Sequence, residues 1–185
     1  QRHAAAAILP QLTFPWAGDP TGSAADSERI VAEVARLRRC LDVVAARPAV
    51  DASRLGVVGH DFGGMHGIIL ATVDRRPAAY VLIAAVPRWG DWFLPFWPIE
   101  EDRIDYLRGV RPLDPIEHVR RVDRARVLFQ FGLRDFFIAP MTGREFARAA
   151  GDNGEYAAYP DAEHDMAGEE IAAARTAFLE AALRS

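Results

Sequence analysis

An aspartate stands at residue 61 in Leu-Gly-Val-Val-Gly-His-Asp-Phe-Gly-Gly (55–64), where an apolar strand breaks at a glycine-rich turn and a helix begins. A strand-turn-helix elbow of this kind strains its central residue and projects that side chain from the sheet's carboxyl edge. It also faces the next backbone N–H, here that of Phe62, toward the reacting group. Small residues are expected to flank Asp61, because a Cβ there would collide. Two further polar residues occupy matching places: Asp135, in Phe-Gly-Leu-Arg-Asp, and His164, in Tyr-Pro-Asp-Ala-Glu-His-Asp. All three fall in loops after the carboxyl ends of expected parallel strands, where open α/β sheets gather reacting groups. Their order along the chain is candidate nucleophile, acid, histidine.

The other reactive side chains read as structural. His60 is expected to pack beneath the elbow, His66 lies on the following helix, His118 near a short helix and His3 at the terminus. Asp161, Glu163, His164 and Asp165 cluster as metal ligands do, but one histidine among close-spaced acids has no recognisable zinc spacing, so no metal is expected. Cys40, the single cysteine, sits among helical apolar positions and reads as packing rather than nucleophile. No GxGxxG, P-loop or Cys-pair motif occurs, so no cofactor is expected.

The elements that must position these residues follow from periodicity. Ala4 to Leu12 reads as a short buried strand, and Phe14 to Gly22 as a Pro/Gly-rich loop. Ser23, with Asp26 three residues on, makes a capping box, and Ile30, Val34, Leu37, Leu41 and Val44 predict an amphipathic helix over Ala24 to Arg47, ended by Pro48. Strands are expected at 55–59, 79–86, 126–131 and 155–159, and helices at 63–73, 140–150 and 168–183. This β-α-β-α-β alternation is that of a mostly parallel sheet covered on both faces, a three-layer α/β/α sandwich. From 87 to about 123 the alternation breaks at a Trp/Pro/Phe-rich stretch that reads as a short lid-like insertion. Trp89 and Trp92 are its candidate substrate-binding residues.

Composition narrows the partners. The 185 residues are 50% hydrophobic and 26% charged, with a net charge of −4, which fits a single globular domain. The 22 basic residues are all arginine and are scattered among 26 acids, so no basic face suggests nucleic acid or an anionic membrane. No apolar run approaches a membrane span. A single cysteine and no signal-like segment lead to an expected cytoplasmic location, with a small apolar or aromatic substrate and a possible homo-oligomer. The chain begins with Gln1 rather than methionine, so the expectation is either a segment upstream or an unusually small domain.

The order Asp61, Asp135, His164 at three strand ends resembles the α/β-hydrolase superfamily. Val-Asp-Ala-Ser-Arg-Leu-Gly-Val-Val-Gly-His (50–60) resembles the approach to the nucleophile in its dienelactone hydrolase and prolyl-oligopeptidase-like branch. The resemblance covers nearly the whole chain and implies a hydrolase fold whose first three strands, and the loop supplying half the oxyanion hole, have no counterpart here. That branch uses serine or cysteine at the elbow. Gly-His-Asp-Phe-Gly-Gly is instead similar to the elbow of haloalkane dehalogenases and epoxide hydrolases, which use aspartate.

Chemistry separates these two affinities. A carboxylate attacking an ester carbonyl gives a mixed anhydride, a poor intermediate, whereas attack on a halide- or epoxide-bearing carbon gives a stable alkyl-enzyme ester. The expected mechanism is therefore covalent attack by Asp61 on an electrophilic carbon. His164, with a near-neutral pKa, would activate water, Asp135 would fix its tautomer, and the Phe62 N–H would serve the oxyanion. A dehalogenase would draw a halide donor from Trp89, Trp92 or Trp97, and an epoxide hydrolase a ring-protonating tyrosine from Tyr106. The alternatives are an esterase or lactonase with Asp61 as general base on water, and a non-catalytic protein that kept the fold.

Overall fold

The computed structural model describes residues 5–99 and 102–184; His3 lies outside them. Four strands, β1 (Leu55–His60), β2 (Pro77–Ile83), β3 (Arg126–Gly132) and β4 (Gly154–Tyr159), pair in the order β1-β2-β3-β4. All three pairings are parallel, with Val58 opposite Val81, Leu82 opposite Phe129 and Gln130 opposite Ala157. β2 and β3 lie inside the sheet and are almost wholly buried; β2 reads as an unbroken apolar run, while β3 carries one buried polar residue, Gln130, which donates to Tyr159 and to Ile171 O and accepts from Arg175. β1 lies at an edge and alternates buried with exposed positions.

Helices cover both faces. Gly56 and Val57, neighbours on β1, point opposite ways: a Cβ on Gly56 would lie 3.2 Å from Leu179 of α7 (Glu169–Arg184), whereas Val57 packs on Gly67 of α2 (Phe62–Val73). α1 (Ala24–Ala45) packs on α2, and α6 (Pro140–Ala149) on β3 and β4. The three layers expected from the alternation are thus present. The start of α1 follows its sequence signal. Ser23 caps α1, its side chain accepting from Ala25 N, while the Asp26 carboxylate reaches back to the N–H groups of Thr21 and Gly22.

The expectation of a buried strand from Ala4 to Leu12 is overturned for the described residues 5–12. They form no strand and lie at the surface, with Leu9 89% exposed. An apolar run this short, ended by Pro10, buries too little to offset its ordering unless a neighbouring strand accepts it.

Residues 87–123 form α3 (Trp89–Phe96), α4 (Arg103–Val110) and α5 (Pro115–Val119) with a 3-10 turn at Arg111–Leu113. Much of this segment is core rather than lid. α5 packs against α2, Ile116 N donates to Pro87 O, and Tyr106, Val110, Ile116 and Val119 are buried. Among the described residues no helix is long and apolar enough to cross a membrane.

Candidate active site

Backbone geometry makes Asp61 unusual. It joins β1 to α2 with φ 52° and ψ −122°, a conformation that costs an L residue about 1–3 kcal/mol. The turn is held by both neighbours: Asp61 N donates to Ile83 O at the end of β2, and Asp61 O accepts from Gly64 N and Met65 N. Its glycines are not equivalent. A Cβ on Gly59 would sit 2.3 Å from the Gly63 carbonyl, and one on Gly64 2.8 Å from Ala85 Cβ, while Gly63 has open space around it. The expected collision therefore holds at Gly59 and Gly64 but not at Gly63.

The acid loop is built with equal care. Past β3, Asp135 Oδ1 accepts from Phe137 N at 2.8 Å and Ile138 N at 3.1 Å, an Asx-type turn that fixes the carboxylate before α6 begins. Its side chain is fully enclosed, and Oδ2 lies 2.9 Å from His164 Nδ1. The loop after β4 is tied to the loop after β3 by Leu133 N to Tyr159 O and Arg134 N to Ala162 O. At Gly132 a Cβ would stand 2.3 Å from Ala162 O, so glycine permits this close approach.

The structure therefore brings Asp61, His164 and Asp135 together. His164 Nε2 lies 3.8 Å from Asp61 Oδ2, in ion-pair rather than hydrogen-bond range, and Nδ1 faces Asp135. The hydrogen bond to Asp135, and then the Asp61 carboxylate, push His164 up to about 9 against the opposing effect of burial. The expected near-neutral histidine is corrected: with a carboxylate at each nitrogen the ring is an imidazolium at neutral pH. Burial works to raise Asp135, but hydrogen bonds from His164, Phe137 and Ile138 outweigh it and hold Asp135 below its ordinary value. Asp61 Oδ1 is buried without a hydrogen-bond partner among the described residues. An unsatisfied buried oxygen of this kind costs about 1–3 kcal/mol.

Several expectations about the surroundings change. His60 does not pack beneath the elbow. It is exposed at the end of β1, its Nε2 is 2.8 Å from the His164 carbonyl, and its ring centroid is 5.0 Å from that of His164. It positions the histidine loop. His60 is two residues from Val58 and shares its side of β1, and both are exposed.

Trp89 is fully buried, its indole N–H donating to Leu113 O and its ring packing on His66, so it supports α3 from within rather than lining a site. Trp92 does reach the site, with its ring 5.8 Å from His164 and 5.6 Å from Phe62. Phe62, the residue after Asp61, is buried beneath Trp89, Trp92 and Phe93, with Trp16 against its edge. Its N–H begins α2, where a backbone donor has no partner within the helix.

Trp97 donates to Asp19, and Tyr106 is buried with its hydroxyl on Asp26, so neither serves the site as a donor. His66 is buried, its Nδ1 on Phe62 O, and His118 meets Thr72 Oγ1 and Pro112 O. Cys40 is free and half-buried on α1. The acids around His164 assemble no metal cluster among the described residues.

Phe137 is the residue that sequence reasoning missed. Its ring centroid lies 5.1 Å from that of His164, and its backbone N–H holds Asp135. An aromatic two residues past a candidate acid was the available signal.

No family model matches the chain, and no curated protein resembles it in sequence. Solved structures do match. An acetyl xylan esterase from Paenibacillus sp. R4 superposes with a TM-score of 0.72 at 23% identity, over 86% of this chain and 56% of that one. Dipeptidyl peptidase 4 from Porphyromonas gingivalis superposes with a TM-score of 0.71 at 18% identity, over 83% and 23%. A protein from Klebsiella pneumoniae assigned to the dienelactone hydrolases gives 0.60 at 22% identity, over 84% and 62%. The chain thus spans between about a quarter and three fifths of these neighbours' lengths. The fold is that of the α/β-hydrolases, and the elbow, acid loop and histidine loop occupy one edge of its sheet.

Proposed function

We propose that this protein hydrolyses carboxylic esters or lactones by direct attack of water, with Asp61 as general base and His164 as general acid. The observation that carries this reading is the His164 ring held between two carboxylates, which keeps it protonated at neutral pH. A protonated imidazole cannot take a proton from water, but it can give one to a leaving group. The Asp61 carboxyl faces that ring across 3.8 Å. Direct attack on an acyl carbon would make it a mixed anhydride, so removing a proton from water is its better task there.

The proposed reaction closes on itself. A water O–H gives its proton to Asp61 as the oxygen bonds to the acyl carbon. The tetrahedral oxyanion is met by the Phe62 N–H. The bond to the alcohol oxygen then breaks as His164 Nε2–H protonates it, and the proton on Asp61 returns to His164. Ester and water become acid and alcohol. Asp135 holds the ring through Nδ1 and keeps Nε2 directed at Asp61. Esterases and a dienelactone hydrolase among the structural neighbours support an acyl substrate over a halide or epoxide.

Turnover in ¹⁸O water tests the route. The expected result is label in the product acid, none in the peptide holding Asp61, and loss of turnover in Asp61→Ala. Label in Asp61 would instead mean covalent attack at a saturated carbon. In that case alkylation neutralises one of the carboxylates facing His164 and frees the ring to act as a base. An unchanged rate in Asp61→Ala would sink both routes.

A further inference from the structure

The wall of aromatic rings beside His164 has a defined side. Phe137 and Trp92 both stand edge-on to the His164 ring, with centroids 5.1 and 5.8 Å away. Phe96 closes the group at 5.3 Å from Trp92 and 6.1 Å from Phe137. Phe96 and Phe137 are each 50% exposed and Phe136, packed on Phe137, is 91% exposed. A contiguous aromatic patch of this kind is uncommon on a surface that has nothing to bind.

A second observation points to a ligand. The Trp92 indole N–H at the base of the wall is buried with no acceptor among the described residues, whereas the Trp89 N–H is satisfied by Leu113. A buried donor left without an acceptor is destabilising, and a substrate oxygen would satisfy it.

Resting on the ester reading above, we propose that Phe96, Phe137 and Trp92 bind an aromatic ring in the alcohol portion of the substrate. The side follows from chemistry. His164 is the group that protonates the departing alcohol oxygen, and the wall stands against His164, so the group leaving with that oxygen lies along the wall. The acyl portion lies toward the Phe62 N–H, the donor that meets its oxyanion. A ring stacked on Phe96 and Phe137 gains both burial and edge-to-face contact. Because the Phe137 N–H also holds Asp135, the loop that sets the acid in place is the one that selects the alcohol.

Matched esters test this. Benzyl acetate, ethyl acetate and methyl benzoate place a ring on the alcohol side, on neither side and on the acyl side. Benzyl and ethyl alcohols leave with similar ease, so a difference between them reports binding. The expected kcat/KM for benzyl acetate exceeds those of the other two by about tenfold or more. In Phe137→Ala and Phe96→Ala that ratio collapses, and in Phe137→Tyr it is retained. The alanine and tyrosine variants keep the backbone N–H on Asp135. Equal rates on the three esters, a preference for methyl benzoate, or a ratio indifferent to Phe96 and Phe137 would overturn the proposal while leaving ester hydrolysis standing.

Binding of benzyl alcohol, followed by the NMR shift of the Trp92 indole N–H, separates the two readings. Saturable shifts that vanish in Phe137→Ala, without hydrolysis of any ester, would keep the wall and discard the reaction. No shift would discard the wall.

Discussion

At the scale of single residues, placing an acid rather than a neutral hydroxyl at the elbow changes the histidine more than it changes the turn. Asp61 keeps the positive-φ geometry of the elbow, while its charge adds to that of Asp135 across one imidazole. Asp61→Asn removes the weaker of the two influences and leaves the hydrogen bond to Asp135. The His164 pKa is then expected to fall from about 9 toward its ordinary value of 6.5 without reaching it, as read by NMR titration of the ring. An unmoved titration would mean that 3.8 Å is too far for the carboxylate to matter. Activity carries the same logic with a definite sign. If protonated His164 is the acid, kcat/KM falls as pH rises through about 9. If neutral His164 is the base in the free enzyme, it rises over the same range, so one kcat/KM profile between pH 7 and 10.5 separates these two roles.

At the scale of elements, the elbow is fixed by a glycine at a point of close backbone approach, Gly59, and its neighbour Gly63 stands free, so the two predict opposite outcomes. Gly59→Ala would drive a Cβ into the Gly63 carbonyl at 2.3 Å. It is expected to cost about 3 kcal/mol or more and to displace Asp61. Gly63→Ala, in open space within the first turn of α2, is expected to be neutral or stabilising by up to about 1 kcal/mol. Urea unfolding of the two variants checks the contrast, and equal losses would contradict it.

The elements themselves were legible because their signals are periodic. The run Tyr80 to Ile83 and the stripe from Ile30 to Val44 each state their own burial. That Asp61, Asp135 and His164 meet was legible because each follows a strand. What could not be read depends on which way a side chain turns after a loop. Trp89 and Trp92, three residues apart on one short helix, divide between core and site, and Phe137 depends on an Asx turn whose partners are backbone groups. The protonation of His164 was beyond reach for a different reason. It follows from where three loops meet: the Asp135 carboxylate, 29 residues away in sequence, on one ring nitrogen and the more distant Asp61 facing the other, which no local pattern encodes.

At the scale of the whole molecule, two histidines set opposing demands on pH. His164 gains partners on folding, so its contribution is fully present below pH 6.5 and is lost as pH rises through about 9. His66 behaves oppositely. Enclosed between α2 and Trp89, it is pushed down by burial to about 4, against the raising effects of its Phe62 carbonyl partner and of Glu33. The unfolded chain therefore takes up a proton near pH 6.5 that the folded chain refuses until about 4. Acidification across that window favours unfolding by about 3 kcal/mol. Asp114, raised by burial to about 6, works against this, because its charging penalises the folded state as pH climbs from 3.8.

The raw stability curve mixes these effects, and a difference isolates one of them. His66→Phe keeps an aromatic ring against Trp89 and removes the titrating nitrogen. It gives up the bond to Phe62 O at every pH. Wild type and variant, unfolded in urea at pH 7 and at pH 4.5, are expected to differ most at pH 7, with the wild-type advantage shrinking or reversing on acidification. A gap that stays constant between the two pH values would show that His66 takes no part in acid unfolding.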